Sequence, residues 1–378
     1  MKYRTMGKLG IQSSAFGLGC MRFNGAASGD TIIDEQKAIS LIRRAIDGGV
    51  TYLATAYVYL DKTSEIVLGK ALRDGYRDKV TIATKMPMEY VHNRAEMEAL
   101  LDSELKKLQT DHIDFYLMHG INREKWEYFK SIGAPEFFDD MKKAGKIRYK
   151  CFSFHGPYDE FEYILNDADW DMVQIQYNFM DIDNQAGTKG LELAGAKGIP
   201  VVIMEGLLGG RLAKAPGNVQ ALYDAFPVQR TPVEWAFRWL CNHPAVSVVL
   251  SGCNEMEQIE DNLRIFDTVE PGIMSPEELK LMDDVRAAYI SRTKIGCTGC
   301  RYCMPCPNGV NIPGIFSAWN NVSLYDTNPK WDWDLRQIKE KGAGADNCIG
   351  CGACEAACPQ HLPIIEGLQR AWTELNAE

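Results

Sequence analysis

The sequence lacks a long apolar run and any opening segment that resembles a secretion signal. Its longest apolar stretches are short pieces such as residues 246–250, whereas a membrane-spanning helix needs about 20 apolar residues. The first four residues show no charged segment that leads into an apolar one. We therefore expect the chain to act in the cytoplasm, where thiols stay reduced.

The sequence also lacks a basic cluster and the common nucleotide-binding loops. The net charge is −10, from 41 Lys+Arg and 51 Asp+Glu, and no Lys/Arg-rich run offers a surface for nucleic acid. The glycine-rich residues 206–210 lack the lysine and the serine or threonine of a phosphate-binding loop. No flavin fingerprint is present, although a barrel can bind flavin without one.

Cysteine, in contrast, is plentiful and unevenly placed. Eight of the twelve cysteines form two C-terminal runs. Each run has three cysteines separated from one another by two residues, and a fourth that precedes a proline. This spacing is typical of two [4Fe–4S] clusters in which the fourth cysteine of each run binds the other cluster. The predicted ligands are Cys297, Cys300, Cys303 and Cys358 for one cluster, and Cys348, Cys351, Cys354 and Cys306 for the other.

Zinc and disulfides are the alternatives for these cysteines. Zinc sites use pairs of cysteines rather than triplets followed by Cys-Pro, and a reducing compartment disfavours disulfides. The remaining cysteines have no ligand spacing, and we expect most of them to be buried packing residues; they are Cys20, Cys151, Cys241 and Cys253.

Short apolar runs alternate with amphipathic stretches from an opening hairpin, around residues 7–10, to about residue 267. Such alternation predicts βαβ units and a parallel sheet. Eight strands over about 250 residues are typical of an α/β fold of the (β/α)8, or TIM, barrel type. The predicted strands are residues 15–19, 52–55, 80–84, 115–118, 147–152, 172–176, 201–204 and 246–250.

The predicted helices carry apolar residues at helical spacing. A helical segment at 275–292 leads to the cysteine runs, so we place the barrel at residues 1–290 and a small, mainly α-helical ferredoxin-like domain at 291–378. Three tryptophans are predicted to pack this small domain: Trp319, Trp331 and Trp333. The other predicted helices are residues 34–47, 96–108, 232–242, 312–325 and 334–341.

Polar residues follow most of the predicted strands. The chemistry of such a barrel lies at the carboxyl ends of its strands, and these positions hold Tyr59, Lys85, His119, Ser153 with His155, Gln176 with Asn178, Glu205, and Ser251. One such residue alone is more often a surface or packing residue. Tyr59, Lys85 and His119 follow three consecutive strands, and this grouping indicates an active site.

Seven stretches on or beside the predicted strands carry a family resemblance. They are Gly17-Leu-Gly-Cys-Met-Arg22, Thr55-Ala-Tyr-Val-Tyr59, Ala83-Thr-Lys-Met-Pro87, Asp114-Phe-Tyr-Leu-Met-His119, Gln174-Ile-Gln-Tyr-Asn178, Val201-Val-Ile-Met-Glu205 and Glu257-Gln-Ile-Glu-Asp-Asn-Leu263. By these stretches the chain resembles the aldo-keto reductase family, in an iron–sulfur subtype with a C-terminal ferredoxin-like domain.

The resemblance implies an oxidoreductase that reduces a carbonyl, or oxidises an alcohol, with NAD(H) or NADP(H). Tyr59 matches the residue that protonates the carbonyl oxygen. Lys85 matches the cation that assists it, since a phenol alone is a weak acid at neutral pH. His119 matches the group that orients the carbonyl by hydrogen bonding.

Position 54 departs from the family pattern. The family's second strand ends in an aspartate that pairs with the lysine, whereas this chain has Ala54. Without that carboxylate Lys85 loses a charge partner, and its ammonium becomes costlier to bury. Either Ala54 is an introduced substitution, which the intact residues around it favour, or the natural protein works without the aspartate. Activity is expected to be impaired in the first case.

The resemblance also assigns the cofactor residues. The nicotinamide end matches Ser153 and Gln176, flanked by Met204, Gly206 and Leu207, and the adenosine end matches Ser251, Gly252, Asn254, Gln258 and Asn262. Glycine at 206, where proline is commoner in the family, is expected to loosen its loop. Gly252 and Gln258 stand where many members carry a cation for a 2′-phosphate, which favours NAD unless Arg230 or Arg264 serves instead.

Three functions stay open, because nicotinamide moves electrons in pairs and each cluster moves them singly. The first is a reductase whose clusters exchange electrons with the site or a partner protein. The second is a reductase with purely structural clusters. The third is a non-enzymatic electron-transfer or docking module on a degenerate barrel. A mixed apolar pocket is expected for the substrate, with loops at 24–34, 90–93, 121–126 and 210–229.

Overall fold

The computed structural model describes residues 1–23 and 33–377, so most of the predicted substrate loop at 24–34 lies outside the described residues. The chain divides into two compact units that interleave in sequence. The first is Met1–Gly209 with Val233–Pro276, and the second is Gly210–Pro232 with Glu277–Glu378. A single domain boundary after residue 290 stays a prediction.

The first unit is built on a closed barrel. In the described chain its eight strands are all parallel and pair in sequence order, with the last strand closing on the first. This confirms the predicted fold class and all eight predicted strands. A two-stranded antiparallel hairpin precedes the barrel. The strands are β1 (Tyr3–Thr5), β2 (Gln12–Ser14), β3 (Phe16–Gly19), β4 (Tyr52–Ala54), β5 (Thr81–Met86), β6 (Ile113–Ile121), β7 (Ile147–Phe154), β8 (Met172–Gln176), β9 (Val201–Met204) and β10 (Val246–Ser251).

Several helices begin after residues whose side chains cap their first turn. Asp34 and Asn93 accept hydrogen bonds from backbone amides in the first turns that follow them, which satisfies amides that have no partner inside a helix. No helix among the described residues has both the length and the apolar character needed to cross a bilayer. The helices are α1 (Glu35–Asp47), α2 (Ser64–Ala71), α3 (Arg94–Leu108), α4 (Arg123–Ser131), α5 (Ala134–Lys143), α6 (Tyr158–Asp167), α7 (Gly187–Ala196), α8 (Gly217–Ala225), α9 (Pro232–Asn242), α10 (Met256–Ile265), α11 (Pro276–Ile290), α12 (Ile312–Tyr325), α13 (Trp333–Glu340), α14 (Ala353–Ala356) and α15 (Ile364–Asn376).

The barrel strands bury both of their faces, as parallel strands under a layer of helices must. Side chains alternate along each strand, so Tyr52 and Ala54 of β4 belong to the core inside the barrel. Leu53 belongs to the larger core between the barrel and its helices. Because of this alternation, residues at the carboxyl end of a strand face either the barrel mouth or the helical layer.

The second unit has its own hydrophobic core, formed by α12, α13 and α15 together with residues near the cysteines. Trp319 is buried in this core, as predicted. The prediction for Trp331 and Trp333 is wrong, since their exposed fractions are 58% and 62%. Between them Asp332 is buried as the N-cap of α13, and the apolar face of α13 is supplied by Leu335 and Ile338 instead.

Candidate active site and iron–sulfur ligands

The structure brings Tyr59, Lys85 and His119 together at the carboxyl ends of β4, β5 and β6. The Lys85 ammonium nitrogen lies 3.1 Å from the Tyr59 hydroxyl oxygen. The rings of Tyr59 and His119 meet edge to face, with centroids 5.9 Å apart. A phenol beside an ammonium and an imidazole is a group that can donate a proton to a bound oxygen atom.

The environment of Lys85 is unusual for an ammonium group. The side chain is only 1% exposed, and its nitrogen donates to the backbone carbonyl oxygen of Thr55, at 2.6 Å, as well as to Tyr59. No carboxylate within the described ranges forms an ion pair with it. The positive charge is therefore held by a carbonyl dipole and a hydroxyl.

Ala54 stands where the family resemblance leads us to expect an aspartate. It is the last residue of β4, is buried, and pairs in register with Ala83 of β5. Both face the inside of the barrel, and Lys85 lies two residues beyond Ala83 on the same face. An aspartate at position 54 would therefore project on the side of the sheet that carries Lys85.

His119 is held in its neutral form. Burial, followed in size by the positive charges of Lys85 and Lys125, lowers the pKa of His119 to about 3. A neutral imidazole has one N–H to donate. His119 is therefore suited to donate a hydrogen bond to a substrate oxygen throughout the neutral range.

The Cys20 thiol, which the charge of Lys85 influences, does not supply a negative charge in place of a carboxylate. Burial raises the pKa of Cys20 to about 12, against the opposing effect of Lys85, so this thiol stays uncharged at neutral pH. Cys151, Cys241 and Cys253 are also buried. The prediction that most of the barrel cysteines are buried is confirmed.

Two predicted nicotinamide residues carry unused hydrogen-bonding capacity. Gln176 donates from its amide nitrogen to Asp181, at 2.7 Å, while its amide oxygen is buried with no partner among the described residues. The Ser153 hydroxyl accepts from the backbone amide of Gly120, at 2.8 Å, which leaves its hydrogen available to donate. A carboxamide oxygen can accept from the Ser153 hydroxyl, and a carboxamide N–H can donate to the Gln176 amide oxygen. The residues present therefore fit a nicotinamide.

The loop after β9 approaches Leu240 of α9 closely at position 206, and the expected loosening of this loop stays a prediction. A Cβ atom on Gly206 would lie 2.7 Å from a Leu240 methyl carbon, so a larger residue there would require the leucine side chain to shift. Met204 accepts a hydrogen bond at its sulfur from Gln174, and Leu207 packs against the core of the barrel.

The predicted adenosine residues are largely occupied with one another. Gln258 caps the start of α10 in a capping box with Glu255, and its amide oxygen also accepts from the backbone of Asn254. Asn262 is buried and donates to Ser251 and Cys253. A Cβ on Gly252 would lie 2.8 Å from the side chain of Arg22, a residue to which the sequence analysis gave no cofactor role.

In the second unit, each predicted set of four cysteines lines one cavity. The larger, about 570 Å³ including open space at its mouth, is lined by Cys306, Cys348, Cys351 and Cys354, together with Cys303. The other, about 340 Å³ on the same measure, is lined by Cys297, Cys300, Cys303 and Cys358. No three ligand-type side chains in the described ranges converge as on a single metal ion, whereas a [4Fe–4S] cluster binds each thiolate at a different iron. Each set of thiols is arranged around a cavity, so the residues present fit the ligands of a cluster.

Comparison with known proteins agrees with this geometry. The family model of the aldo/keto reductase family matches residues 15–286. The chain belongs to the aldo/keto reductase family. A model of a 4Fe-4S dicluster domain matches residues 296–362, so the two parts of the molecule are an aldo-keto reductase-like, NAD(P)-dependent oxidoreductase barrel and an iron–sulfur domain.

This aldo-keto reductase is similar to several bacterial members of the family. It is 38% identical to aldo-keto reductase YhdN of Bacillus subtilis over 156 residues, which cover 39% of this chain and 45% of that protein. The holo form of AKR11C1 from Bacillus halodurans has 25% identity and a TM-score of 0.64, over 75% of this chain and 96% of that one. An aldo/keto reductase from Klebsiella pneumoniae in complex with NADP and acetate, at 23% identity, shares the fold, with a TM-score of 0.60 over 76% and 96% of the two chains.

Two arginines that the sequence offered for a 2′-phosphate are engaged by carboxylates in this aldo-keto reductase. Arg230 lies 2.5 Å from Glu278, and both belong to the second unit. Arg264 pairs with Glu234 and Asp261, each at 2.8 Å. Arg22, which follows β3 in the chain, lies beside Gly252 of the predicted adenosine segment. Arg22 comes soon after the end of β3, and polar residues in such positions are candidates for the site of a barrel. This position is the sequence signal that could have identified Arg22 as a candidate.

Proposed function

We propose that this protein reduces the carbonyl group of a small molecule, or oxidises the corresponding alcohol, with a nicotinamide cofactor. The observation that carries the proposal is the 3.1 Å contact between Lys85 and Tyr59, beside a neutral His119. When bound, the nicotinamide supplies or accepts the hydride at the carbonyl carbon. The protein residues handle the oxygen and its proton.

Each of the three residues has one task in the reduction. The Tyr59 hydroxyl donates its proton to the carbonyl oxygen, which becomes the alcohol oxygen. The positive charge of Lys85 stabilises the phenolate that Tyr59 forms as the proton leaves. The imidazole of His119 donates a hydrogen bond to the same carbonyl oxygen and fixes the orientation of the substrate.

Ala54 reduces this activity without abolishing it in our proposal. The Thr55 carbonyl gives Lys85 an acceptor at 2.6 Å, so the ammonium stays beside Tyr59. A carbonyl dipole fixes an ammonium less firmly than a carboxylate does, because hydrogen bonds between two charged groups are the stronger ones.

We propose Ser153 and Gln176 as the residues that bind the nicotinamide carboxamide, because both retain unused hydrogen-bonding capacity. Arg230 and Arg264 are paired with carboxylates, which supports NAD(H). Arg22, beside Gly252, is the residue that would hold the extra phosphate of NADP(H), the cofactor found in the Klebsiella structure. Dissociation constants for NADH and NADPH, measured with the wild type and with Arg22→Gln, show which of the two nucleotides the protein prefers.

We propose two [4Fe–4S] clusters with exchanged fourth ligands, because each predicted set of cysteines lines its own cavity. Their role is one-electron transfer with a partner protein, since a cluster moves single electrons and the nicotinamide does not. We also propose a reducing, cytoplasmic location, because the thiolates that would bind the clusters must not be oxidised to disulfides.

The test is reduction of a panel of aldehydes and ketones under anaerobic conditions, followed as the oxidation of NADH or NADPH. We expect turnover by the wild type and a loss of roughly 100-fold or more in Tyr59→Phe, in line with the contribution of a general acid, while nucleotide affinity stays unchanged. Equal rates in the two proteins would overturn the assignment of Tyr59. Absence of turnover with every carbonyl and both nucleotides would overturn the function itself.

A further inference from the structure

The peptide that holds Lys85 is itself held by a short chain of hydroxyl groups. The Thr55 hydroxyl lies 2.8 Å from the Ser64 hydroxyl, and the Ser64 hydroxyl donates to the carbonyl oxygen of Cys20, at 2.6 Å. Thr55, Ser64 and Cys20 are completely buried, so water does not compete for these bonds.

The direction of the chain follows from counting hydrogens. A serine hydroxyl has one hydrogen, and that of Ser64 is used on Cys20. The Thr55 hydroxyl must therefore be the donor to Ser64. Both hydroxyl hydrogens are thus used on groups other than Lys85, and Thr55 bonds to the ammonium through its carbonyl oxygen.

The chain closes into a ring through the backbone. The Cys20 amide donates to the carbonyl oxygen of Ala54, at 2.8 Å, and the Thr55 amide donates to Ala83 of β5, at 2.8 Å. The ring joins the segment after β3, the end of β4 and the first residue of α2. With its amide and its hydroxyl both engaged, the Thr55 residue has little freedom to rotate its carbonyl away from Lys85.

From this arrangement we infer that Thr55 and Ser64 are positioning residues for Lys85, and that they do the work that a carboxylate at position 54 does in the family. The inference rests on the proposed carbonyl reduction for its catalytic consequence. Its structural content, that the Thr55 hydroxyl keeps Lys85 at Tyr59, is independent of any reaction.

The decisive variant is Thr55→Val, which keeps the shape of the side chain and removes only the hydroxyl. We expect kcat to fall about tenfold, with KM and the nucleotide dissociation constant changed by less than about twofold, because one bond that fixes a charged group is lost. Thr55→Ser restores the hydroxyl and the rate. In an Ala54→Asp background the effect of Thr55→Val shrinks, because the carboxylate then holds Lys85.

Thr81→Val is the matched control. Thr81 begins β5, and its hydroxyl donates to the carbonyl oxygen of Thr51 just before β4, at the opposite ends of the same strands. We expect this variant to leave kcat unchanged. A fall in kcat as large as that of Thr55→Val would indicate general loosening of the barrel and overturn the inference.

Crystal structures of Thr55→Val and Thr55→Ser decide the question even if no carbonyl is reduced. We expect the distance between Lys85 and Tyr59 to lengthen beyond hydrogen-bonding range in the valine variant and to return to about 3 Å in the serine variant. An unchanged distance in Thr55→Val would overturn the inference. A wild type without carbonyl reductase activity, together with the expected displacement, would overturn the proposed function and leave the positioning role established.

Discussion

The ammonium nitrogen of Lys85 lies 3.1 Å from the hydroxyl oxygen of Tyr59. The contact is present although position 54, where the family resemblance leads us to expect a carboxylate for the lysine, holds Ala54. Tyr59 and Lys85 are close because β4 and β5 are neighbouring strands of the barrel. The barrel therefore brings Lys85 and Tyr59 together without a carboxylate at position 54.

Restoring the carboxylate should raise activity. In Ala54→Asp the new side chain shares the inner face of the barrel with Lys85, so we expect roughly a tenfold increase in kcat, the effect of one added charge-assisted hydrogen bond. The measurement is the initial rate of NADH- or NADPH-dependent carbonyl reduction. Ala83→Asp, on the neighbouring strand of the same layer, is the control and should give no gain. A lower rate in Ala54→Asp would show that the site is adapted to work without the carboxylate.

His119 should make folding less stable in acid. The pKa of His119 is about 3 in the folded protein, against an ordinary value of 6.5, so the unfolded chain binds its proton more readily. The stability that this neutral histidine provides is complete above pH 6.5 and is lost as the pH falls towards 3. At pH 5 the loss is about 2 kcal/mol.

This loss should be absent in His119→Gln. Urea unfolding of both proteins at pH 7 and pH 5 measures it, and the wild type should lose about 2 kcal/mol more than the variant between these two values. Equal losses in the two proteins would mean that His119 takes up a proton in the folded state above pH 5.

Removal of one cluster ligand should cost one cluster. Cys351 is exposed and lines the larger cavity, so we expect Cys351→Ser to contain about four fewer iron atoms per chain. Cys241→Ala, in the barrel core, is the control and should keep its full iron content. Loss of thermal stability with unchanged carbonyl turnover would identify the clusters as structural.

Nicotinamide should not reduce the clusters directly. We expect an anaerobic titration with NADH to leave the visible absorbance of the clusters unchanged, while dithionite bleaches it, because hydride transfer moves two electrons together. Electron paramagnetic resonance on the same samples reports any reduced cluster. A reduced-cluster signal after NADH addition would require a bound one-electron converter such as a flavin.

The segment Gly210–Pro232 should depend for its order on the rest of the second unit, Glu277–Glu378. Arg292 bonds to Asn218 of this segment, at 3.0 Å, and also to Asp326 and the carbonyl oxygen of Ser323. We expect Arg292→Ala to be cleaved within the segment roughly tenfold faster in limited proteolysis, since local opening becomes easier. Lys294→Ala, which removes an ion pair to Glu374 outside the segment, should be cleaved at the wild-type rate.

Much of the molecule followed from local sequence patterns. Alternating apolar runs predicted the eight barrel strands, because parallel strands buried on both faces require apolar residues. Cysteine spacing predicted the two ligand sets, because three ligands of each cluster come from one short run and the fourth, before a proline, comes from the other run. The exposed positions of Trp331 and Trp333 were not predictable from their type, since burial depends on which face of a short segment meets the core.

The sequence by itself determined that a tyrosine, a lysine and a histidine would follow three consecutive strands, and that position 54 has no carboxylate. Only the tertiary structure decided what the lysine bonds to instead. The acceptor is a backbone carbonyl, which every residue possesses, and its orientation is set by hydroxyls and amides of β4, α2 and the segment after β3. Backbone groups carry no signature in the sequence, so their role is visible only when the barrel closes and brings these segments into contact.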